Sequence, residues 1–539
     1  MTAPGSSVLR AIARGPLLSG PFDLAIIGGG INGAGIARDA ALRGKSVVLL
    51  ERGDFGSGTS SRSSKMVHGG IRYLEQFRLG LVYEALRERR TLLRIAPHLV
   101  KAQSFVLPFY EGALRSARTM KLGLRLYDLL ALGRRIGASR GLDRDEVVAR
   151  VPGIRPDGLA GGGVYHDGVM DDARLVLANI LACGEVPGAP PGSVVVRSYA
   201  EAASIRPGSP SSLIVRDLVT GEGNEVLAHR VVRAAGPWTD PSYLVRSKGI
   251  HLVLPAFPGK DGLLLTHSKD NRVFFCVPWL GRTIVGTTET PFDGSLDSLS
   301  VERDEAAYLL EEVRRVLPGL DASGRHILGS YAGVRPLARA SGWFASKHPG
   351  AVSRVHRIVE DSNGVLTVFG GKYTTYRAVA KKVVDRLYPA SPCSTGRLPL
   401  PGGEAGPWSE FRKGAAAEIA RLGEAEAMRL FDIYGARLRD VLRLADTEPA
   451  LAAPLSHEHP TTRAEAVYGV LREHVMYPED FLARRTTLRF TADGGRSAYD
   501  AVEEIIRARS PSPPRDLAAA RARYHEEISR EDALREALA

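Results

Sequence analysis

Residues 23–51, DLAIIGGGINGAGIARDAALRGKSVVLLE, limit the possible folds more than any other stretch of the chain. The apolar run Leu24 to Ile27 is typical of a buried parallel strand, and a glycine turn with G-x-G-x-x-G spacing follows it. Apolar residues at helical spacing come next, and then a second apolar run, Val47 to Leu50. Strand, turn, helix and strand in this order predict a Rossmann-like unit that binds a dinucleotide. The alternative is a glycine turn that only packs a helix on a sheet.

The three glycines of the turn and the acid after the second strand each have a physical role. Gly28 allows the tight turn, Gly30 lets a diphosphate approach the backbone, and Gly33 permits close packing of the helix on the strand. The diphosphate is expected at the free N–H groups of the helix N-terminus. Glu51 is expected to accept hydrogen bonds from a ribose hydroxyl, and its charge argues against the 2′-phosphate of NADP.

Composition and charge limit the class of protein. A chain of 539 residues exceeds one hydrophobic core, so about two to four domains are expected. The three cysteines, Cys183, Cys276 and Cys393, form no C-x-x-C pair and no metal-ligand spacing, which favours a reducing compartment and predicts no metal site. The formal charge of +12 predicts anionic partners. Because nucleic-acid motifs and interleaved aromatic residues are absent from the sequence, we expect anionic lipid or an anionic small substrate rather than nucleic acid.

Two segments bear on contact with a membrane. Residues 1–20 lack the continuous apolar core of a secretory signal and are expected to form a disordered tail. No stretch approaches the roughly 18 uninterrupted apolar residues of a spanning helix. In residues 112–140, leucines at helical spacing are flanked by arginines and lysines. Such a basic amphipathic helix can lie in a membrane interface, or it can be an ordinary surface helix with a solvated basic face.

Strand-like and helix-like runs predict the domain organisation. Short strands are expected within 193–217 and 250–290, and the strand before Gly236 is expected to return the chain to the nucleotide-binding domain. The fold class is therefore predicted to be α/β, with a Rossmann-like dinucleotide-binding domain over 21–387 that is interrupted by a β-sheet-rich substrate domain at about 80–165 and 190–345. Residues 388–408 are rich in proline and glycine and are expected to be a linker, and 409–539 an α-helical C-terminal domain.

Several further motifs resemble those of a known family. They are GGGINGAGIARDAALRG, TSSRSSKMVHGGIRYLE, DDARLVLAN, AAGPW, VPW with VGTTE, AGVRPL and FGGKYTTYR. In this order they resemble the FAD-dependent glycerol-3-phosphate dehydrogenases, which belong to the D-amino-acid-oxidase-like flavoproteins. The resemblance spans roughly residues 21–384 and continues more faintly into REHVMYPEDFLARRTTLRF at 472–490.

The resemblance implies an activity and a location. It implies bound FAD, oxidation of sn-glycerol 3-phosphate to dihydroxyacetone phosphate, and transfer of the electrons to a membrane quinone. A protein of this kind is expected in the cytoplasm, associated peripherally with the inner face of the cell membrane. The C-terminal domain has no evident role in the chemistry and could support a homodimer or shield the active site.

Oxidation of a secondary alcohol requires a base and, for a phosphorylated substrate, cations. A histidine suits the base because its pKa lies near neutrality, and both His68 in MVHGGIRY and His251 in KGIHLVLP are candidates. For the phosphate, the resemblance implies the substrate contacts Arg72, Tyr73, Arg335 and Lys372, with Arg354 as a weaker candidate. Arg335 could also act in catalysis, by stabilising the developing carbonyl oxygen or the negative charge of reduced flavin.

The expected FAD contacts extend along the whole chain. Gly28, Gly30, Gly33 and Glu51 are assigned to the adenosine diphosphate half, and Thr59, Ser60 and Ser61 to the phosphates and ribityl chain. The remaining expected contacts are Gly236, Gly370, Gly371 and Thr374. NAD requires no second glycine turn so far downstream, and this distant return favours FAD.

Two other functions are compatible with the sequence. The first is a glycerol-3-phosphate oxidase that passes electrons to oxygen and forms hydrogen peroxide. The second is a non-catalytic flavin-binding sensor, although a sensor has no need for a phosphate clamp beside the flavin.

Overall fold

The computed structural model describes residues 20–70, 78–112, 117–131, 133, 135–339 and 356–539. The strands are β1 (Phe22–Ile27), β2 (Val47–Leu50), β3 (Met66–Val67), β4 (Val100–Tyr110), β5 (Arg140–Leu142), β6 (Leu159–Met170), β7 (Val194–Arg197), β8 (Ala200–Arg206), β9 (Ser211–Asp217), β10 (Gly223–Arg233), β11 (Leu244–Pro255), β12 (Gly262–Thr266), β13 (Val273–Trp279), β14 (Arg282–Gly286), β15 (Thr290–Pro291), β16 (Gly329–Ala338), β17 (Arg357–Glu360), β18 (Leu366–Phe369), β19 (Pro454–Ser456) and β20 (His459–Thr462).

The helices alternate with these strands in the first two thirds of the chain and dominate the last third. They are α1 (Ile31–Leu42), α2 (Leu79–Ile95), α3 (Ala117–Leu130), α4 (Arg144–Arg150), α5 (Asp172–Gly184), α6 (Arg303–Val316), α7 (Tyr376–Leu387), α8 (Trp408–Phe411), α9 (Ala416–Leu422), α10 (Glu424–Tyr434), α11 (Leu438–Thr447), α12 (Arg463–Arg472), α13 (Pro478–Arg484), α14 (Arg496–Arg509) and α15 (Leu517–Ala537).

A nucleotide-binding sheet forms the centre of the first domain, as the α/β prediction requires. Its strand order is β17-β18-β10-β1-β2-β7, with β9 on β10 and β8 on β9. Strand β1 pairs in parallel with both β2 and β10. The continuous apolar runs of β1 and β2 are buried because helices α1, α5 and α7 cover one face of the sheet and a β-sheet layer packs on the other. The predicted fold class is confirmed.

A second sheet faces the first across a long cavity. Its order is β15-β11-β14-β13-β12-β4-β6-β3, with β16 on the free side of β11 and β5 on β6. Helices α4 and α6 cover one face of this sheet through an apolar layer. The opposite face carries a second apolar layer that includes Phe105, Tyr165 and Trp279. This sheet is assembled from residues on both sides of β7–β10 in the sequence.

One predicted boundary of the substrate domain requires correction. The second substrate segment was expected to begin near residue 190, yet β7 pairs in parallel with β2, and β8, β9 and β10 continue the nucleotide-binding sheet. The substrate sheet resumes only at Leu244, the first residue of β11. Short alternating strands have the same pattern in either sheet, so only the pairing partners distinguish the two assignments.

The predicted linker and the C-terminal region pack against the first domain. Within 388–408, Leu400 is fully buried and its N–H donates to Ile95 O at 2.7 Å. Arg38 of α1 donates to Leu398 O at 2.8 Å, which holds the segment on the nucleotide-binding domain. Helices α8 to α15 with the β19–β20 hairpin follow and enclose an apolar core of their own.

The predicted basic amphipathic helix is present as α3 over Ala117–Leu130. Leu124 and Tyr127 are buried, whereas Leu129 is 62% exposed. The predicted tail at residues 1–20 lies outside the described residues except for Gly20. In the part of the chain that the structure describes, no helix has both the length and the apolar character needed to cross a bilayer.

Candidate active site between the two sheets

A cavity of about 940 Å³ extends from the glycine turn after β1 to the substrate sheet. It opens at the carboxyl ends of β1 and β10, where parallel sheets bind their ligands. The loop after β2, the strands β11 and β16, and the turn after β18 supply the rest of its wall. Small-molecule pockets measure roughly 300–1,000 Å³, so this cavity is at the upper end of that range, as an extended dinucleotide requires.

The glycine turn after β1 is shaped for close backbone approach. Gly28 has φ +108°, and a Cβ added there would lie 2.5 Å from Ala234 O. A Cβ on Gly33 would lie 1.9 Å from Gly28 O, so α1 could not pack where it does. Gly30 is the N-cap of α1, and its neighbour Ile31 donates its N–H to Ser60 Oγ at 3.0 Å. The turn and the helix N-terminus therefore fit a diphosphate.

Glu51 is buried at the end of β2 and braces this turn. Its carboxylate accepts N–H bonds from Gly29 at 2.6 Å and from Gly53 at 2.8 Å. Burial raises the pKa of Glu51 above its ordinary value, and these two backbone N–H groups oppose that rise. A carboxylate retains further lone pairs for a ribose hydroxyl.

The other expected cofactor residues divide into two groups. Gly28, Gly30, Glu51, Thr59, Ser60, Gly236, Gly370 and Gly371 line the cavity. Gly33, Ser61 and Thr374 lie behind its wall: Ser61 O accepts from Lys65 Nζ at 2.8 Å, and Thr374 Oγ1 donates to His68 O at 3.3 Å. These three residues shape the wall rather than face the space within it. Thr59 lines the cavity while its hydroxyl donates to Val334 O at 2.6 Å.

At the other end of the cavity, neighbouring strands carry His251 and Arg335. Strands β11 and β16 are antiparallel, with His251 opposite Tyr331 and Ser247 opposite Arg335. Residues paired in this way share one face of the sheet with residues two and four positions further along. His251 and Arg335 therefore lie on the same face. Two glycines leave space for these side chains. A Cβ on Gly249 would lie 2.4 Å from Arg335 Nη2, and a Cβ on Gly286 would lie 2.3 Å from His251 Cδ2.

The environment of His251 favours a neutral imidazole. Its Nε2 lies 2.9 Å from Ser64 Oγ, and its ring stacks on Tyr331 with centroids 4.9 Å apart. Burial lowers the pKa of His251 well below its ordinary value, and the positive charges of Arg335 and Lys65 lower it further. Among the described residues, Nδ1 of His251 has no hydrogen-bond partner. A neutral imidazole can accept a proton.

The remaining candidates are placed as follows. Arg335 donates to Thr287 Oγ1 at 2.9 Å and to Thr288 O at 3.4 Å, so its guanidinium is fixed beside the cavity. His68 and Lys372 line the same cavity. Arg72, Tyr73 and Arg354 lie outside the described residues.

Sequence reasoning missed the residues that support His251. Lys65 pairs with Asp172 at 2.5 Å and lies 5.2 Å from the ring centroid of Tyr331. Tyr331 in turn donates its hydroxyl to Ser63 O at 2.8 Å. The SSRSSK and DDARLVLAN motifs were visible in the sequence, but nothing in them shows that Ser64 contacts a histidine on a distant strand.

A second buried cluster supports the loop that carries His68. Asp167 accepts the N–H of Gly69 at 3.1 Å, the hydroxyl of Tyr127 at 2.8 Å and a guanidinium N–H of Arg89 at 2.6 Å. Burial raises the pKa of Asp167, and the charge of Arg89 opposes that rise. In the described ranges no cluster of histidine, cysteine and carboxylate side chains has the composition of a metal site.

A Rossmann-like sheet and a second sheet that share one long cavity define a dinucleotide-dependent oxidoreductase of two interleaved domains. Comparison with known families agrees with this class. Residues 23–377 match the family described as FAD dependent oxidoreductase, and residues 393–510 match the C-terminal domain of alpha-glycerophosphate oxidase.

Individual relatives cover nearly the whole chain. A glycerol-3-phosphate dehydrogenase of Synechocystis sp. is 34% identical over 519 residues, 90% of this chain and 92% of that protein. An aerobic glycerol-3-phosphate dehydrogenase of Staphylococcus aureus is 33% identical and spans 99% of this chain and 98% of its own. The crystal structure of the glycerol-3-phosphate dehydrogenase from Bacillus halodurans complexed with FAD has a TM-score of 0.76 at 27% identity, covering 96% of each chain. The chain belongs to the FAD-dependent glycerol-3-phosphate dehydrogenase family.

A more distant structure shares the fold alone. The L-alpha-glycerophosphate oxidase of Mycoplasma pneumoniae has a TM-score of 0.54 at 16% identity, over 71% of this chain and 99% of that one. The family match, the relatives and the FAD complex of the Bacillus halodurans enzyme confirm the predicted family and the FAD cofactor. The cavity described above fits that cofactor.

Proposed function

We propose that the protein oxidises sn-glycerol 3-phosphate to dihydroxyacetone phosphate and passes the electrons to a membrane quinone. The observation that carries the substrate assignment is that a neutral imidazole, His251, and a fixed guanidinium, Arg335, lie on the same face of the substrate sheet. Relatives named glycerol-3-phosphate dehydrogenase, which match at least 90% of the chain, support the same assignment.

The reaction removes a hydride from the C2 carbon of the alcohol and a proton from its hydroxyl. When bound, FAD supplies the hydride acceptor, and the protein supplies orientation and the base. His251 is the base that we propose, because it lines the cavity and its lowered pKa keeps the ring neutral at neutral pH. His68 lines the same cavity and is the alternative.

The phosphate requires fixed positive charge. Arg335 and Lys372 line the cavity and are the cations that we propose for it, together with Arg72 of the family motif. Tyr73 of the same motif adds a hydroxyl, and Arg354 is a weaker candidate. Arg335 also lies near enough to His251 to lower its pKa, so it can stabilise negative charge on the substrate oxygen as the proton leaves.

Helix α3 and the C-terminal domain bear on the choice of electron acceptor. Helix α3 has an exposed Leu129 among basic neighbours, which supports peripheral attachment to the inner face of an anionic membrane, where quinone is dissolved. The match of residues 393–510 to a glycerophosphate oxidase domain favours the alternative, transfer to oxygen with formation of hydrogen peroxide.

One anaerobic experiment tests the reductive half of this proposal. Purified holoenzyme is mixed with sn-glycerol 3-phosphate while the visible flavin absorption is recorded. Rapid bleaching is expected, and flavin that stays oxidised with every phosphorylated polyol would support the sensor instead. Readmission of oxygen or of a short-chain quinone, with and without anionic vesicles, then separates the acceptors. Fast reoxidation by oxygen alone would overturn the quinone assignment.

A further inference from the structure

The loop that follows β2 forms one wall of the cofactor cavity and is anchored from behind. Residues 51–53 and 56–60 of this loop line the cavity, whereas Asp54 does not. The side chain of Asp54 is completely buried on the opposite side of the loop. A buried carboxylate is costly unless it is paired, so its partners decide whether the loop keeps this position.

Both partners of Asp54 come from the C-terminal domain. Arg485 donates two parallel bonds to the carboxylate, Nη1 to Oδ2 and Nη2 to Oδ1, each of 2.7 Å. Arg484 contributes a further bond through Nε. Arg485 is 1% exposed, and a planar bidentate pair of this kind fixes direction as well as distance.

The two arginines are themselves held in place within the C-terminal domain. Arg485 Nη2 donates to Glu473 O at 2.8 Å, and Arg484 Nη2 donates to Asp480 Oδ1 at 2.7 Å. Asp480 also accepts the N–H groups of Met476 and Tyr477, each at 2.9 Å. The guanidinium groups are therefore rigid supports rather than mobile surface charges.

Two further contacts join the same loop to the same domain. Tyr199 does not line the cavity. Its N–H donates to Gly53 O at 3.0 Å, and its hydroxyl donates to Asp480 Oδ1 at 2.6 Å. Phe55 packs edge-on against His474, with ring centroids 5.4 Å apart. On its other side Phe55 touches the glycine turn, because a Cβ on Gly29 would lie 2.7 Å from its ring.

We propose that Arg484 and Arg485 are positioning residues for the cofactor, which hold the FAD-binding loop 51–60 against the glycine turn through Asp54. One role of the C-terminal domain is then to keep the FAD site closed on its adenosine side. The proposal concerns FAD affinity and is independent of the substrate and of the electron acceptor.

The test compares two bidentate arginine–carboxylate pairs at the same domain interface. Arg485→Lys keeps the charge but loses the bidentate contact with Asp54. The matched control is Arg437→Lys, because Arg437 of the C-terminal domain forms a bidentate pair with Glu185 of the first domain, at 2.9 and 2.6 Å, away from Asp54 and Arg485. For each variant, FAD is removed and its dissociation constant is measured by titration of the apoprotein, using the change in flavin fluorescence. Melting temperatures of the apoproteins are measured in parallel.

Arg485→Lys is expected to raise the FAD dissociation constant by at least about tenfold, which corresponds to about 1.4 kcal/mol. Arg437→Lys is expected to lower the apoprotein melting temperature slightly while leaving that constant within about twofold of the parent, since a twofold change is well under 1 kcal/mol. Equal FAD affinity in Arg485→Lys and the parent would overturn the proposal, because the pair would then be structural only. An equal loss in both variants would also overturn it, since domain docking in general would be responsible.

A second variant and a second measurement guard against a misfolded protein. Asp54→Asn keeps the shape of the side chain and removes its charge. Hydrogen exchange of the backbone N–H groups in residues 51–60 is followed in the apoprotein. Faster exchange confined to this loop, in Asp54→Asn and not in Arg437→Lys, is the expected result. Unchanged exchange in a folded Asp54→Asn protein contradicts the proposal.

Discussion

The two ends of the cavity are constructed in opposite ways. The nucleotide end comes mainly from one continuous segment, β1, the glycine turn, α1 and β2, whose backbone groups contact one another directly. The substrate end joins Ser64 from a loop, His251 from β11 and Arg335 from β16, which are far apart in the sequence. We expect the backbone itself to be the binding surface at the nucleotide end and the side chains to be the binding surface at the substrate end. Substitutions at the two ends should therefore have separable effects, on cofactor content in one case and on turnover in the other.

The largest effect is expected at the nucleotide end, for Gly33→Ala. The new Cβ would lie 1.9 Å from Gly28 O, so α1 must move away from β1 and the diphosphate site opens. We expect the purified protein to lack the visible flavin absorption. Gly184→Ala, at a helical position with open space around it, is the matched control and should retain FAD. Full flavin content in Gly33→Ala would show that the helix tolerates the shift.

The next effect is expected at the substrate end, for His251→Asn. If His251 is the base, turnover should fall by about 10²- to 10⁴-fold with FAD content unchanged. Because burial, Arg335 and Lys65 lower the pKa of His251, the acid limb of kcat/KM should lie below the ordinary histidine pKa of about 6.5. Activity should therefore persist as pH falls from 7 to 6 and be lost in more acidic solution. A larger loss in His68→Asn than in His251→Asn would transfer the role to His68.

Arg335→Lys should have a somewhat smaller effect of the same kind. Lysine keeps the charge but cannot make the contacts to Thr287 Oγ1 and Thr288 O that orient the guanidinium. We expect kcat/KM for glycerol 3-phosphate to fall by on the order of 10²-fold, with FAD affinity unchanged. Arg339→Lys, on the chain just beyond β16 and outside the cavity, should leave the kinetics as they are. A loss of FAD in Arg335→Lys would contradict the expectation that substitutions at the substrate end leave cofactor content unchanged.

The smallest effect is expected on stability, for a substitution at His98, which lies outside both ends of the cavity. Burial, then the charges of Arg174 and Lys101, lower the pKa of His98 to about 3. Between about pH 6.5 and that value the unfolded chain binds a proton that the folded chain does not, so acid lowers the free energy of unfolding by up to about 1.4 kcal/mol per pH unit. His98→Gln should make this slope shallower without moving the acid limb of kcat/KM, as chemical denaturation at several pH values would show. An unchanged slope would mean that His98 does not contribute.

Local patterns in the sequence were sufficient for the nucleotide end and for the fold class. The spacing of Gly28, Gly30 and Gly33 and the acid Glu51 describe contacts within one supersecondary unit, so the prediction required no knowledge of distant residues. The strands of 194–233 were harder to assign. Their alternation is the same whichever sheet they join, and the pairing of β7 with β2 settles it.

The sequence by itself determined the family and the FAD cofactor, and it predicted which residue types could act on a phosphorylated alcohol. Only the tertiary structure decided that Ser64 contacts His251, that Tyr331 stacks on it, and that Arg485 neutralises Asp54. The physical reason is the range of the interactions. Turn geometry and strand burial act between near neighbours and leave a pattern in the chain, whereas a hydrogen bond or buried ion pair between distant residues exists only once the sheets and the C-terminal domain have packed together.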